Sequence, residues 1–317
     1  MKGLELSKLY YEEYGKKMIH EKFSNVESKI AIGLIGAGSE CIGCDDDISK
    51  DHDFDIGFMI FIPDDLDPKI QFELEREYSY LPNEYMGYKK NILSRNSQRR
   101  GVIKVSDFLT DKIGKKDGNL SLYDFLYIDE QYLLEVTNGE IYRDDSNIIT
   151  KIRLNLNYMP IDVKLKKIAG EILIMSQSGQ YNYLRLKKRN DVGDAKLAIN
   201  IFVNSFIHFV YLINEVYMPY YKWRFKILKQ LSWPKIILKY EYDFIDKLIF
   251  LLSVNPQNIF TQIVENIIND MSNICIDRIK KEFSIDSKNQ FLDFYAIKIN
   301  DSIKNNEIRN LNILTCV

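Results

Sequence analysis

Leu6, Tyr10, Tyr14 and Met18 recur every four residues through a charged stretch, LELSKLYYEEYGKKMIHEKF, and that spacing predicts an amphipathic opening helix over 4–23. The pattern then changes period. An apolar run at 30–35 ends in glycines, an acidic connection follows, and a second apolar run, FDIGFMIFI at 54–62, stops at Pro63, which predicts strand, turn, loop and strand. A helix is expected over 65–80, a short strand in GVIKV at 101–105, a helix over 121–136, and a turn leading into a short extended piece at 138–144. Beyond Pro160 glycines become sparse and the 3.6-residue period dominates. Helices are expected over 161–178, 192–214, 219–231, 236–253, 257–283 and 286–304, broken near Gly179, Pro219, Pro234 and Pro256. The expected fold class is α+β, with a small mixed-sheet domain at 1–157 followed by an all-α helical bundle domain at 158–317.

Composition narrows the classes. A chain of 317 residues can form two domains that each bury a core. Lys+Arg total 43 against 45 Asp+Glu, for a net charge of −2, which disfavours a nucleic-acid partner. Four cysteines make no disulfide framework, and no basic-then-apolar leader opens the sequence. The apolar stretch IFVNSFIHFVYLI at 201–213 carries Asn204 and His208 and falls short of the roughly 20 residues that cross a bilayer. The expectation is a cytoplasmic chain with no membrane partner. Disorder, collagen, a secreted mini-domain and an integral membrane protein are excluded.

Chemistry concentrates in GLIGAGSECIGCDDDISKDHDFDIGF. Gly38 and Ser39 follow the first strand, and Asp53 and Asp55 open the second at alternating positions, so both carboxylates are expected on one strand face. Two carboxylates held that close repel unless a hard cation lies between them, and Mg²⁺ takes one or two carboxylates plus substrate phosphates. A Gly-Ser turn after a strand offers backbone N–H groups and a hydroxyl to phosphate oxygens. Together these predict a site for Mg²⁺ and a nucleoside triphosphate, ATP foremost.

Gly38-Ser39 followed by Asp53-Phe54-Asp55 after thirteen residues resembles the signature of the nucleotidyltransferase superfamily. The chain looks more closely like a bacterial family of uncharacterised nucleotidyltransferase-like proteins. The resemblance rests on Gly38-Ser39-Glu40, Gly43, Asp46, Ser49, Asp51-His52-Asp53, Gly101-Val102 and Gly139 through Asp144. It continues through Met159-Pro160-Ile161-Asp162, Gly179-Gln180-Tyr181-Asn182 with Arg185, and Asn214 through Trp223, covering about 30–231. Many family members carry Trp-Gly after the last Asp of DHD, where this chain has Phe54-Asp55. The resemblance implies a nucleotidyltransferase-type sheet domain, an antibiotic-nucleotidyltransferase-like architecture, and transfer of a nucleoside monophosphate from an NTP to an acceptor hydroxyl with pyrophosphate release. Asp53 and Asp55 would be the catalytic metal ligands. Superfamily enzymes add a third carboxylate on a later strand; here that strand carries Lys104, and Asp107 is the nearest replacement. Gly38, Ser39 and Ser49 would bind the nucleotide, joined by Arg185 and Arg189, which lie four apart on one helical side. Asn214, Tyr217, Tyr220 and Lys222 would line an acceptor cleft, and Glu171 or Asp194 would be an acceptor base. The acceptor expected first is a small metabolite or antibiotic, with a protein hydroxyl, as in antitoxin-like adenylyltransferases, second. A noncatalytic nucleotide sensor or interaction module is the alternative from another class.

Blander readings compete at each point. IAIGLIGAGSEC looks like a Rossmann turn, but Cys41 occupies its third glycine position and an acidic loop follows instead of a helix. Cys41 and Cys44 form a CxxC, yet zinc needs four ligands and Cys275 and Cys316 are unpaired in spacing. The acidic run Asp45-Asp46-Asp47 with Asp51 is either a second phosphate or metal shell or a solvated loop, and His52 either orients a carboxylate or is a buried hydrogen-bonding side chain.

Overall fold

The structure is a computed structural model that describes residues 1–48, 55–90, 99–232 and 241–315. Ser49, Asp51, His52, Asp53 and Phe54 therefore lie outside the described residues, as does Cys316. The chain divides into two compact units, one of residues 1–121 with 128–158 and the other of 122–127 with 159–317. Its class is α+β, helices with a small mixed sheet of four strands.

In the first unit the opening segment is helical, α1 (Gly3–Tyr10) and α2 (Lys16–Lys22) joined through a π-helical turn at Tyr11–Gly15. The four-residue spacing reads out as expected: Leu6, Tyr10 and Met18 are buried and Tyr14 packs beside them. Gly15 lies flat on the Phe58 ring, where a Cβ would come within 2.3 Å of Cζ. The strands are β1 (Ala31–Leu34), β2 (Met59–Ile62), a small β3–β4 hairpin (Glu84–Tyr85, Tyr88–Lys89), β5 (Gly101–Lys104) and β6 (Glu140–Asp144). The four-stranded sheet has order β5-β2-β1-β6, with β1 antiparallel to both β2 and β6, and β2 parallel to β5. β2 is buried on both faces. Phe58, Ile60 and Ile62 join the cluster of Leu6, Tyr10 and Tyr11, while Phe61 meets Phe108 edge-on at 5.3 Å. Fully buried strands read as continuous apolar runs, which is why 56–62 shows no alternation.

α3 (Pro68–Ser79) starts on Asp67, whose carboxylate accepts from Lys69 N at 2.9 Å, with Pro68 at the first helical position. α4 (Val105–Ile113) follows β5 directly and ends on Gly114. The single helix expected over 121–136 is two, α5 (Leu122–Tyr127) and α6 (Glu130–Thr137), because Asp129 caps a new N-terminus by accepting from Gln131 N at 3.0 Å. α5 packs in the second unit. α7 (Thr150–Leu156) is preceded by a turn in which Asp144 accepts from the backbone N–H of Ile148, Ile149 and Thr150.

The second unit is helical throughout. α8 (Ile161–Met175) does not break near Gly179; it runs through a π-helical segment, Ser176–Asn182, into α9 (Tyr183–Arg189). α10 (Val192–Ile213) is its central helix, followed by α11 (Arg224–Leu228), α12 (Glu241–Ser253), α13 (Gln262–Phe283), α14 (Leu292–Asp301) and α15 (Asn306–Asn310). An apolar window of α10, mean hydropathy 1.6, is long enough to cross a membrane, but 67% of it is buried inside this unit. Two side chains of α8 fasten the C-terminal segment. Lys166 is fully buried and donates to Asn300 Oδ1 (2.8 Å) and the carbonyls of Leu311 (2.7 Å) and Arg309 (3.1 Å), while Asp162 accepts from Lys304 N and Asn305 N, both at 3.0 Å.

Gly179 is where the π segment touches its neighbours: a Cβ would sit 2.5 Å from Phe202 Cδ2 and 2.9 Å from Ile268 Cγ2. Gly179→Ala is expected to cost about 1–3 kcal/mol by overpacking, read as a lower urea midpoint for the helical unit with an unchanged slope. An alanine variant as stable as the parent would show that α10 and α13 do not press on this point.

Candidate functional site

β1 delivers the chain into a turn at 36–43 that two residues of the α6–β6 connection hold in shape. The Asn138 amide accepts from Gly36 N and donates to Gly36 O, both at 2.8 Å, and Gly139 N donates to Cys41 O at 2.8 Å. Gly139 has φ +65°, and a Cβ there would come within 2.1 Å of Leu34 O, so only glycine permits the approach. At the centre of the turn Glu40 is buried, and its Oε1 accepts from Arg99 Nη2 at 3.0 Å and Arg100 Nη2 at 3.1 Å. Gly38, with φ +138°, covers the cluster; a Cβ would meet Arg99 Nη2 at 2.4 Å and Glu40 Oε2 at 2.5 Å. Both arginines immediately precede β5, whose Gly101 N donates to Phe58 O at 2.9 Å. The sequence reading missed this pair. The available signal was two adjacent arginines abutting a short β-branched strand, facing a glutamate set among glycines.

Asp55 is buried at the same end of the β1–β2 pair. Burial is the largest single influence and works against the Arg100 charge, but the Glu40 carboxylate, Cys41, the hydrogen bond to Glu40 and Asp55 together raise the Arg100 pKa. Arg100 also donates from Nη1 to Arg99 O at 2.8 Å, while its buried Nε has no hydrogen-bond partner among the described residues. Tyr78 closes the wall, its hydroxyl accepting from Phe58 N (3.1 Å) and donating to Phe58 O (2.8 Å); burial pushes its pKa up to about 12, so it stays neutral. The extended chain at 55–58 is not yet strand. Gly57 has φ +136°, and β2 begins only at Met59. Of the expected nucleotide-binding and metal-binding residues, Gly38, Ser39 and Asp55 are thus at one end of the sheet, and Asp53 and Ser49 lie outside the described residues.

Asp107 is not brought to them. It is exposed in the first turn of α4, reached from the far end of β5, beside Ser106, which donates to Asp64 just past the end of β2. Because β2 and β5 run parallel, Asp55 precedes the pair and Asp107 follows it, so the length of the strands separates them. Within the acidic run Asp45 has a structural task, accepting from Gly3 N at 2.9 Å and pairing with Lys2 at 3.2 Å. Cys41 and Cys44 are buried thiols with no disulfide between them, and burial pushes the Cys41 thiol up to about 12, the state of an inert packing residue.

The helical unit carries a pocket of about 400 Å³ where the π segment and α9 meet the start of α10. Ser178, Asn182, Arg185, Arg189 and Asp194 supply its polar lining. Leu186, Leu197, Ala198 and Ile201 supply the apolar part. Glu171 is elsewhere, buried and paired with His208 Nδ1 at 2.6 Å. The residues expected to line an acceptor cleft cluster at the opposite end of α10. Asn214 caps it, donating to Val210 O at 2.7 Å and accepting from Ser232 Oγ at 3.0 Å; Tyr217 is buried; Lys222 sits over the Trp223 ring at 5.2 Å; and Tyr220 meets the Tyr221 ring at a 49° tilt, centroids 4.4 Å apart. Thirteen helical residues, roughly 20 Å, separate Asn214 from Ile201, so these residues and the arginine pocket do not form one cleft within the unit.

A mixed four-stranded sheet with a buried charge cluster at one end, and a helical unit with a polar pocket, define the class of protein. A domain of unknown function, DUF4037, matches residues 125–224, which takes in α6, β6 and the helices from α7 to α10 and leaves out the Gly38–Asp55 segment. No curated protein matches the chain.

Removing one partner from a buried ion cluster strands the other, so Glu40→Gln is expected to destabilise the sheet unit by about 3 kcal/mol in urea unfolding. A loss under about 0.5 kcal/mol, the size of an ordinary surface change, would show the arginines to be solvated. For Cys41 the folded pKa lies above the ordinary 9.0, so its contribution to stability is full below pH 9.0 and is lost as pH rises toward about 12. Iodoacetamide at pH 8 is expected to leave Cys41 unmodified until urea unfolds the chain; rapid labelling of the native protein would contradict its burial.

Proposed function

We propose that the sheet unit binds a nucleoside triphosphate at the end of the β1–β2 pair and transfers its nucleoside monophosphate to an acceptor hydroxyl. One observation carries the reading: Gly38 and Asp55 lie by the half-buried Arg99–Arg100 pair, and Ser39 follows Gly38 in the same turn. Arginine is suited to phosphate because its planar fork presents several donors in fixed geometry. The Arg100 Nε–H is an unspent donor at this place, and the Ser39 hydroxyl with the backbone N–H groups of the turn adds others.

Asp55 offers hard oxygen donors, and with Asp53 two residues before it the donor set fits Mg²⁺, which takes one or two carboxylates plus phosphates. Asp53 and Asp55 would hold the ion, which when bound neutralises charge on the entering and leaving oxygens of an in-line displacement. In that displacement the acceptor oxygen forms a bond to the α-phosphorus, the bond from the α-phosphorus to the bridging oxygen breaks, pyrophosphate leaves with the electron pair, and the hydroxyl proton passes to a base. A small metabolite or antibiotic is the acceptor class this reading favours, and a protein hydroxyl comes second.

The test is incubation of the full chain with labelled ATP, GTP, CTP or UTP, Mg²⁺ and a cell extract. Labelled product and pyrophosphate are expected, and Asp53→Asn and Asp55→Asn should each lower label transfer by roughly 100-fold or more while the thermal midpoint stays close to the parent's. Nucleotide binding without pyrophosphate release would replace the reading with a noncatalytic nucleotide-binding module. Transfer indifferent to both substitutions would overturn the site.

A further inference from the structure

Arg185 and Arg189 stand one turn apart on α9, and like charges at that spacing repel. Lys187, between them, has an outlet in Glu265 at 2.8 Å, but Arg189 makes no hydrogen bond or ion pair with any described residue. Basic residues at a helix C-terminus complement its dipole, which accounts for Arg189; Arg185, one turn earlier, reaches the Tyr181 ring at 5.9 Å and donates a long hydrogen bond to Asn182 Oδ1 at 3.5 Å, but has no carboxylate partner among the described residues. Both line the pocket of about 400 Å³, a volume within the range of small-molecule sites. Across from them α10 presents Leu197 and Ile201, one turn apart, which are 60% and 49% exposed on a helix otherwise sunk in the core. Asp194, also with no ion pair among the described residues, stands one turn before Leu197. The π-helical segment supplies the remaining side, Ser178 and Asn182. π-helical turns are rare and frequently fall at functional sites.

We propose that this pocket binds a small amphipathic anion, a phosphate or carboxylate carried on an aromatic or branched apolar body. Arg185 and Arg189 hold the anionic group, Leu197 and Ile201 cover the apolar body, and Asp194 accepts from a hydroxyl or amine of the ligand. Two guanidinium groups against one carboxylate leave the pocket net positive, which selects anions over cations. The apolar wall selects against inorganic phosphate, which has nothing to place there.

Isothermal titration of the full chain with phenyl phosphate and with phenylacetate tests the proposal, with inorganic phosphate and benzyl alcohol as head-only and body-only controls. One of the two aromatic anions is expected to bind 1:1, and the tighter one tells a phosphate ligand from a carboxylate ligand. Each control should bind at least about tenfold more weakly. The double variants R185Q/R189Q and L197S/I201S should each lose about tenfold or more, with circular-dichroism melts like the parent's because all four side chains are exposed. Failure of both anions to saturate, an unchanged dissociation constant in R185Q/R189Q, or benzyl alcohol binding as well as the anions would overturn the site. The anion titration is repeated on Asp55→Asn, a change confined to the sheet unit: unchanged anion binding is expected, whereas its loss would overturn the assignment of a ligand to this pocket alone. The result is thus read independently of whether the sheet unit transfers nucleotides.

Discussion

Glu40 takes two guanidinium groups on one buried oxygen, and the sheet unit is arranged around that contact. Withdrawing three charges from water costs several kcal/mol per ion, and mutual attraction returns it only if the geometry is held without slack. The holding is visible. Asn138 and Gly139 pin the turn that carries Glu40, the β2–β5 ladder pins the strand that carries the arginines, and Gly38 has no side chain to push them apart. A cluster of this kind is a poor source of stability compared with an apolar replacement. Its chemical consequence is a fixed, partly neutralised positive centre beside a glycine-serine turn.

Much of the fold was legible because the periods were clean. The spacing of Leu6, Tyr10, Tyr14 and Met18 gave the opening helix, and the apolar runs gave β1, β2 and β5 to within a few residues. The failures have local causes. Helix 121–136 splits because Asp129 competes for the backbone as an N-cap, a device whose strength depends on where the chain is going. The helix expected to end at Gly179 continues because the small residue serves close packing against Phe202 and Ile268 and not termination. The strand expected from 54 starts at Met59 because Gly57 adopts a conformation that leaves the ladder.

The site was legible in part, and the motifs misled in an instructive direction. Gly38, Ser39 and Asp55 share a region, as their spacing suggested. Asp144 and Asp162, conspicuous in the sequence, are backbone acceptors that cap a turn and fasten the C-terminal segment. Asn214 caps a helix, and parallel strands set Asp107 at the opposite end of the sheet from Asp55. Short polar side chains satisfy backbone groups as readily as they bind ligands, and sequence alone does not say which task a given Asp or Asn has taken. Arg99 and Arg100 were missed for the converse reason: charged residues are expected at the surface, and only the position of Glu40 makes their burial tolerable.

The family match falls on 125–224 and so on the segment that builds the arginine pocket, while the Glu40 cluster lies outside it. That division bears on how function is apportioned. A helix such as α10, apolar enough to span a membrane yet buried for most of its length, would be an ordinary core element if every apolar side chain were inside. Leu197 and Ile201 are the exceptions, and they fall where the π segment widens α8 into α9 and where two unneutralised arginines look across at them. Exposed apolar groups, like-charged neighbours and an irregular helical turn each carry a cost in folding. Their coincidence in one pocket is more economically explained by a ligand that relieves all three than by three independent imperfections.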